Sequence, residues 1–322
     1  MPNQKSHSKN KVLKENIDLI CESGFPLQKA IERLFLDNNS IFYPHQTEIP
    51  LNVPPQYAST KFIPPSLDLL VCQHSREEKI KWSVDVLLEC KKAYNKEWHF
   101  FSKQSGSYYS SDKMPLSAVV RTIGTDGLRN EFKVKSIYCK TASFKMDKPP
   151  VVCDNIAEFQ YKEDQKKISD RQVAYETCGT LSVALFHFLD MARASGQMLL
   201  ARDGNPDDVS LMVPMVVTTA NLFIVDSPLI DVDLTVGTTR PSSIKLEEVP
   251  WVFFEFPIMS TLRNFIEPES NFYDFGKDLV TKMGCIIVNA DSILNCLSFL
   301  NPSFVNRLNR EFLSPEYYGL FV

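Results

Sequence analysis

Ser66-Leu67-Asp68-Leu69-Leu70-Val71-Cys72 and Val84-Asp85-Val86-Leu87-Leu88-Glu89-Cys90-Lys91-Lys92 are two apolar runs joined by the polar stretch 73–81. Runs of this length around a polar connector predict a buried β-hairpin. Each carries charge where a buried strand has no structural use for it: Asp68 in the first, Glu89 and Lys91 at the end of the second. Alternate side chains of a strand share a face, so Glu89 and Lys91 are predicted to point one way and Cys90 the other way, into the core. Asp68, on the neighbouring strand, can join the first pair.

Holding these groups together costs desolvation, and chemistry gives a reason for it. Two carboxylates, helped by the backbone carbonyl of Cys90, supply the oxygen ligands that one or two Mg²⁺ ions take, with positions left for water and a phosphate. Mn²⁺ can substitute in such a site. Lys91 is then placed beside the water, where its ammonium orients or deprotonates it and screens the crowded anions. The reaction this layout predicts is hydrolysis of a phosphodiester by in-line attack.

An acid-x-Lys triplet alone is weak, since about two or three arise by chance in a chain of this composition. Glu77 with Lys79 and Asp164 with Lys166 lie in charged connectors, and Glu131 with Lys133 has no acid ending a preceding apolar strand. Glu89 and Lys91 have both apolar flanks and a partner acid upstream.

The segment resembles the PD-(D/E)xK motif of the restriction-endonuclease-like nucleases, with Pro65-Ser66-Leu67-Asp68 as the Pro-Asp element and Glu89-Cys90-Lys91 as the acid-x-Lys element. The likeness extends over residues 23–101, through the helical stretch 23–35, a first strand at 41–51, the hairpin, and Lys96-Glu97-Trp98-His99-Phe100-Phe101. It is similar there to a group of uncharacterised microbial proteins. The resemblance implies an α/β fold with an αβββαβ core around a mixed central sheet, extended by an insertion and by extra C-terminal strands and a helix. It implies a divalent-metal-dependent nuclease, a DNA endonuclease first of all, with Asp68, Glu89 and Lys91 catalytic and Asp68, Glu89 and the Cys90 carbonyl holding Mg²⁺. In the family a glutamate on the first helix often completes the site. Gln28 stands at that position here, and Glu32 lies one turn later on the same helical face. The departure keeps a second function class in view: a catalytically silent member of the fold that binds nucleic acid or a protein partner.

With 322 residues, 44% hydrophobic and 23% charged, the chain has ample material for a core. The expected organisation is a polar N-terminal tail over 1–20, without a signal peptide, and a single domain over 21–322 with an inserted subdomain at 102–170. No apolar run approaches the twenty or so residues of a membrane span. Eight cysteines are scattered without a Cys-x-x-Cys pair, which predicts buried free thiols and a cytoplasmic protein. The net charge of −4 does not announce a nucleic-acid binder. Basic residues nevertheless outnumber acidic ones across 91–171, including Lys133, Lys135, Lys140, Lys162, Lys166 and Lys167, whereas 203–269 is acid-rich. A basic face toward phosphates is compatible with that balance. Nucleic acid, DNA first, is the expected partner, and the composition leaves a homo-oligomer open.

Along the chain, Ser23 is the expected cap of a helix starting near Pro26, with Leu27, Ile31, Leu34 and Phe35 as its buried stripe and Asn38-Asn39 at its end. Strands are expected at 117–123, 132–139 and 157–161, a helix over 171–196 ending near Gly196, strands at 212–219, 222–226, 250–258 and 284–289, and a closing helix to Leu300 capped by Asp291 or Ser292. A zinc site recruiting Cys72, His74 and Cys90 lacks a fourth ligand. His187 sits in an apolar helical pattern, as core histidines do. Trp98, Phe100 and Phe101 read as packing before base stacking. The chain has no nucleophile elbow, phosphate loop or dinucleotide fingerprint.

Overall fold

The structure, a computed structural model, describes residues 23–38, 40–51, 65–74, 81–93, 95–102, 113–123, 130–140, 152–162, 165–168, 173–199, 208–226, 232–233, 235, 238–239, 244–257 and 282–301. The expected tail at 1–20 lies outside them.

The first described helix, α1 (Phe25–Asp37), carries Pro26 in its first turn, where the missing amide hydrogen is no loss. Gly24 is the N-cap, without a side-chain capping bond, so Ser23 does not take that place. Ile31 and Phe35 are buried with Gln28 between the partly buried Leu27 and Leu34. Three strands follow as an antiparallel meander: β1 (Tyr43–Pro50), β2 (Ser66–His74) and β3 (Lys81–Lys91). After β4 (Lys96–Ser102), the segment expected as an insertion forms β5 (Lys113–Ile123), β6 (Asn130–Lys140), β7 (Val152–Lys162) and β8 (Gln165–Ile168). All four join the same sheet as β3.

The long helix α2 (Val173–Leu199) then leads to β9 (Asp208–Thr218), which lies parallel to β3 along its whole length. Gly196 stands near the end of α2, as expected, and the helix runs on to Leu199. β10 (Asn221–Asp226) lies parallel beside β4. β11 (Val232–Asp233) and β12 (Thr238–Thr239) form a separate two-stranded ribbon. β13 (Lys245–Glu248), β14 (Trp251–Pro257) and β15 (Lys282–Asn289) complete a mixed sheet of thirteen strands among the described residues. Its main path runs β1-β2-β3-β9-β15-β14-β7-β4-β10-β13. The last described residues form a short 3₁₀ turn and α3, residues 293–301. Asn289 caps that turn by accepting from the Asp291 amide, the place expected for Asp291 or Ser292.

The central strands of the sheet are buried on both faces, while β13 at one edge is exposed. One face packs Ile31 and Phe35 of α1 and Ile293, Leu297 and Leu300 of α3 against Val86, Leu88, Val213 and Ile286. The other packs Cys178, Leu181 and Leu185 of α2 against Leu70, Leu87, Val216 and Ile287. Each large side chain sealed in this way contributes about 1.5–3 kcal/mol. No helix among the described residues is long and apolar enough to cross a membrane.

One irregularity positions everything that follows. Leu67 and Leu69 are two residues apart and should share a face, yet Leu69 packs with α1 and Leu67 with the α2 side. The faces exchange at Asp68. On the neighbouring strand, Glu48 has φ of 48°, a left-handed backbone that costs a non-glycine residue about 1–2 kcal/mol. The pairing of β2 with β3 is registered as far as Leu69 opposite Leu88.

Candidate active site

Asp68, Glu89, Cys90 and Lys91 meet where β2 and β3 part. Continuing the Leu69–Leu88 register by one step sets Asp68 opposite Glu89. The Cys90 amide donates to Asp68 Oδ2 at 2.7 Å, so the carboxylate takes up the backbone donor that a regular ladder would have paired. Cys90 itself is buried with Val86 and Leu88 on the α1 face. Glu89 and Lys91 share the other side of the strand, as alternation predicts, and Lys91 Nζ lies 2.9 Å from Glu89 Oε2.

Glu89 is 1% exposed, and its Oε1 is buried with no hydrogen-bond partner among the described residues. Burial pushes its pKa up to about 7; the nearby charge of Asp68 adds to this, while Lys91 and the Asp68 amide pull the other way. Burial likewise raises Asp68, against the Cys90 amide and Lys91. Lys91 is raised too: burial acts to lower it, but Glu89 and then Asp68 outweigh that and keep it protonated.

Other buried acids have structural work. Glu158 accepts from the Ala174 amide at 2.7 Å, closing the first turn of α2, and Glu97 pairs with His99 at 2.8 Å. Glu158 Oε2 also has no hydrogen-bond partner among the described residues, with Lys96 Nζ 4.0 Å away, so what distinguishes Glu89 is the second acid, Asp68, set across from it.

Gln28 is drawn into the site in an unforeseen way. It is 4% exposed and donates from Nε2 to the backbone carbonyl of Asp68 at 2.8 Å, fixing the residue from the α1 side. Glu32 instead pairs with Lys29 on its own helix at 2.7 Å. Gln28→Leu should therefore destabilise the fold by about 1–2 kcal/mol, because the Asp68 carbonyl loses its donor. Urea unfolding checks this, and an unchanged midpoint would show that the contact is idle.

The C-terminal ends of three adjacent parallel strands, β3, β9 and β15, lie beside these groups, at Lys91, Thr218 and Asn289. Ligands of open α/β sheets gather at such ends. The edge is braced: Ala93 N donates to Thr219 Oγ1 at 2.8 Å, and Asn289 Nδ2 to the Ala220 carbonyl at 3.1 Å. Thr219 and Asn289 had no recognisable signal in the sequence, since their partners are distant along the chain.

As a donor set for a cation, the two carboxylates offer Glu89 Oε1 and the Asp68 oxygen not bonded to Cys90, both hard ligands that suit Mg²⁺ or Mn²⁺. Among the described residues no group of three or more His, Cys, Asp or Glu is gathered to hold a metal ion, so further ligands would come from carbonyl oxygen, water and phosphate. The zinc alternative fails on geometry, because Cys72 and Cys90 pack on opposite faces of the sheet. Burial also pushes both thiols well up, leaving them protonated. Cys72, Cys90, Cys153, Cys178, Cys285 and Cys296 are buried and free. Trp98 and Phe100 are fully buried, as expected of packing residues, whereas Phe101 is exposed.

No protein-family model, curated protein or solved structure matches the chain.

Proposed function

We propose that the chain is a divalent-metal-dependent nuclease that hydrolyses phosphodiester bonds, most readily of DNA, on a restriction-endonuclease-like core. The order α1-β1-β2-β3, with α2 then leading to β9 parallel beside β3, supports the αβββαβ reading. The observation that carries the function is the facing of two acids: Glu89, 1% exposed with one oxygen on Lys91 and the other without a hydrogen-bond partner among the described residues, lies across from Asp68. A bound Mg²⁺ supplies charge for a phosphate oxygen and makes water more acidic. Asp68 and Glu89 would hold it. Lys91, a third exposed and kept protonated, orients the attacking water and stabilises the negative charge that builds on the phosphate. Gln28 and the Cys90 amide keep Asp68 in place.

Plasmid, single-stranded and branched DNA incubated with Mg²⁺ or Mn²⁺ should be cut by the wild-type chain and not by Lys91→Ala. Equal, background cleavage by both proteins would sink the nuclease assignment. It would favour the second reading, a silent fold that binds nucleic acid or a protein partner, for which the Gln28 amide in place of a helix acid speaks.

β6 places Lys133 and Lys135 on a hairpin attached to β9 through β5. If this hairpin tracks the phosphate backbone, Lys133→Ala and Lys135→Ala should weaken binding on all sequences alike. Each should also lower the slope of log affinity against log salt by about 1. An unchanged slope returns the hairpin to a structural role.

A further inference from the structure

Thr47 pairs with Leu69 and Ile49 with Leu67, so Glu48 stands opposite Asp68 across the β1–β2 ladder. It is exposed and sits at the left-handed φ of 48°, a backbone that glycine or asparagine takes at little cost. The chain has a carboxylate there. Burial is the main reason that Asp68 holds its proton more tightly than usual, and the Glu48 charge adds to it. On the helix side, Lys29 is held first by Glu32 and also feels Glu48. Deeper in, Glu89 Oε1 is buried with no hydrogen-bond partner among the described residues.

We propose that Glu48 is the third acid of the site and acts on a divalent cation held by Asp68 and Glu89 through the cation's water shell. This rests on the metal reading above. Direct ligation by three acids does not fit, since no such group converges among the described residues. An exposed carboxylate opposite Asp68 is placed to accept from cation-bound water, and the same position lets its charge draw the cation in. Sequence reading passed over Glu48 because nothing in Thr47-Glu48-Ile49 signals a left-handed residue within a strand.

The test is Mn²⁺ binding by titration calorimetry on the full chain at pH 8, with no nucleic acid present. Glu48→Gln removes the charge, and Glu48→Asn removes it while tolerating the left-handed backbone, so a folding defect in one leaves the other informative. Both should weaken Mn²⁺ about five- to tenfold, and Glu89→Gln should abolish binding. Affinity within about twofold of wild type in both Glu48 variants overturns the proposal. If that happens while Glu89→Gln still abolishes binding, the metal reading stands and only Glu48 is wrongly placed. A wild-type chain that takes up no Mn²⁺ overturns both.

Discussion

Lys91→Ala should lower metal-dependent cleavage about a thousandfold while leaving most nucleic-acid binding in place. The side chain sits 2.9 Å from Glu89 and is a third exposed, so it touches the metal-binding acid and can still reach water. Its removal also strips a buried carboxylate of its only described cation. Breaking a buried pair costs about 3–5 kcal/mol if the survivor stays charged. Glu89 has an escape, because its pKa already stands at about 7 with Lys91 present and rises further without it. The variant should accordingly be nearly as stable as wild type at pH 6 and clearly weaker at pH 9, where Glu89 is forced to ionise. Single-turnover cleavage, anisotropy of labelled DNA and urea unfolding at both pH values separate the three effects. A variant that binds as wild type and cuts as wild type would remove Lys91 from the chemistry.

The second large effect is in stability against pH. Glu89 titrates at 4.5 in an unfolded chain and at about 7 in the folded one. Below pH 4.5 both states carry the proton and the residue contributes no slope. Between 4.5 and 7 unfolding releases the proton, so stability falls as pH rises, by about 3 kcal/mol over the interval; above 7 both states are ionised and the slope vanishes. Asp68, raised as well, leans the same way. Other carboxylates titrate in the same range, so the quantity to read is the difference between wild type and Glu89→Gln from pH 4 to 8. The amide variant should gain on wild type steadily toward pH 7. Mn²⁺ should recover the loss in the wild type at pH 8 and have no effect on the variant. A difference that is flat with pH would mean that water reaches Glu89 in the folded chain.

The hairpin was legible because apolar density and period two both act locally, and the same alternation put Glu89 and Lys91 on one side and Cys90 on the other. Asp68 was legible as a partner but its geometry was not. Its reach to the Cys90 amide depends on a face exchange that leaves Leu67 and Leu69 on opposite sides, and both residues are equally apolar. Glu48 was invisible for the same reason: left-handed backbone at a glutamate has no compositional mark. The caps fell elsewhere: Gly24 takes the N-cap position of α1 without a capping bond, and Asn289, two residues before Asp291, caps the closing turn. Sheet order across β9, β15, β14 and β7 rests on contacts far apart in sequence, which local periodicity does not encode.

The position of β3 between β2 and β9 has a consequence for the time course of folding. The elements α1, β1, β2 and β3 are neighbours along the chain and close only short loops, so this part can assemble early. β9 is separated from β3 by more than a hundred residues of intervening strands and α2, and its docking is the slow, non-local step. Until it docks, the edge of β3 that β9 covers is open to water. The Glu89 carboxylate is thus driven toward neutrality only once β9 has closed onto β3, and a nascent chain halted before β9 would hold the same residues without that neighbour.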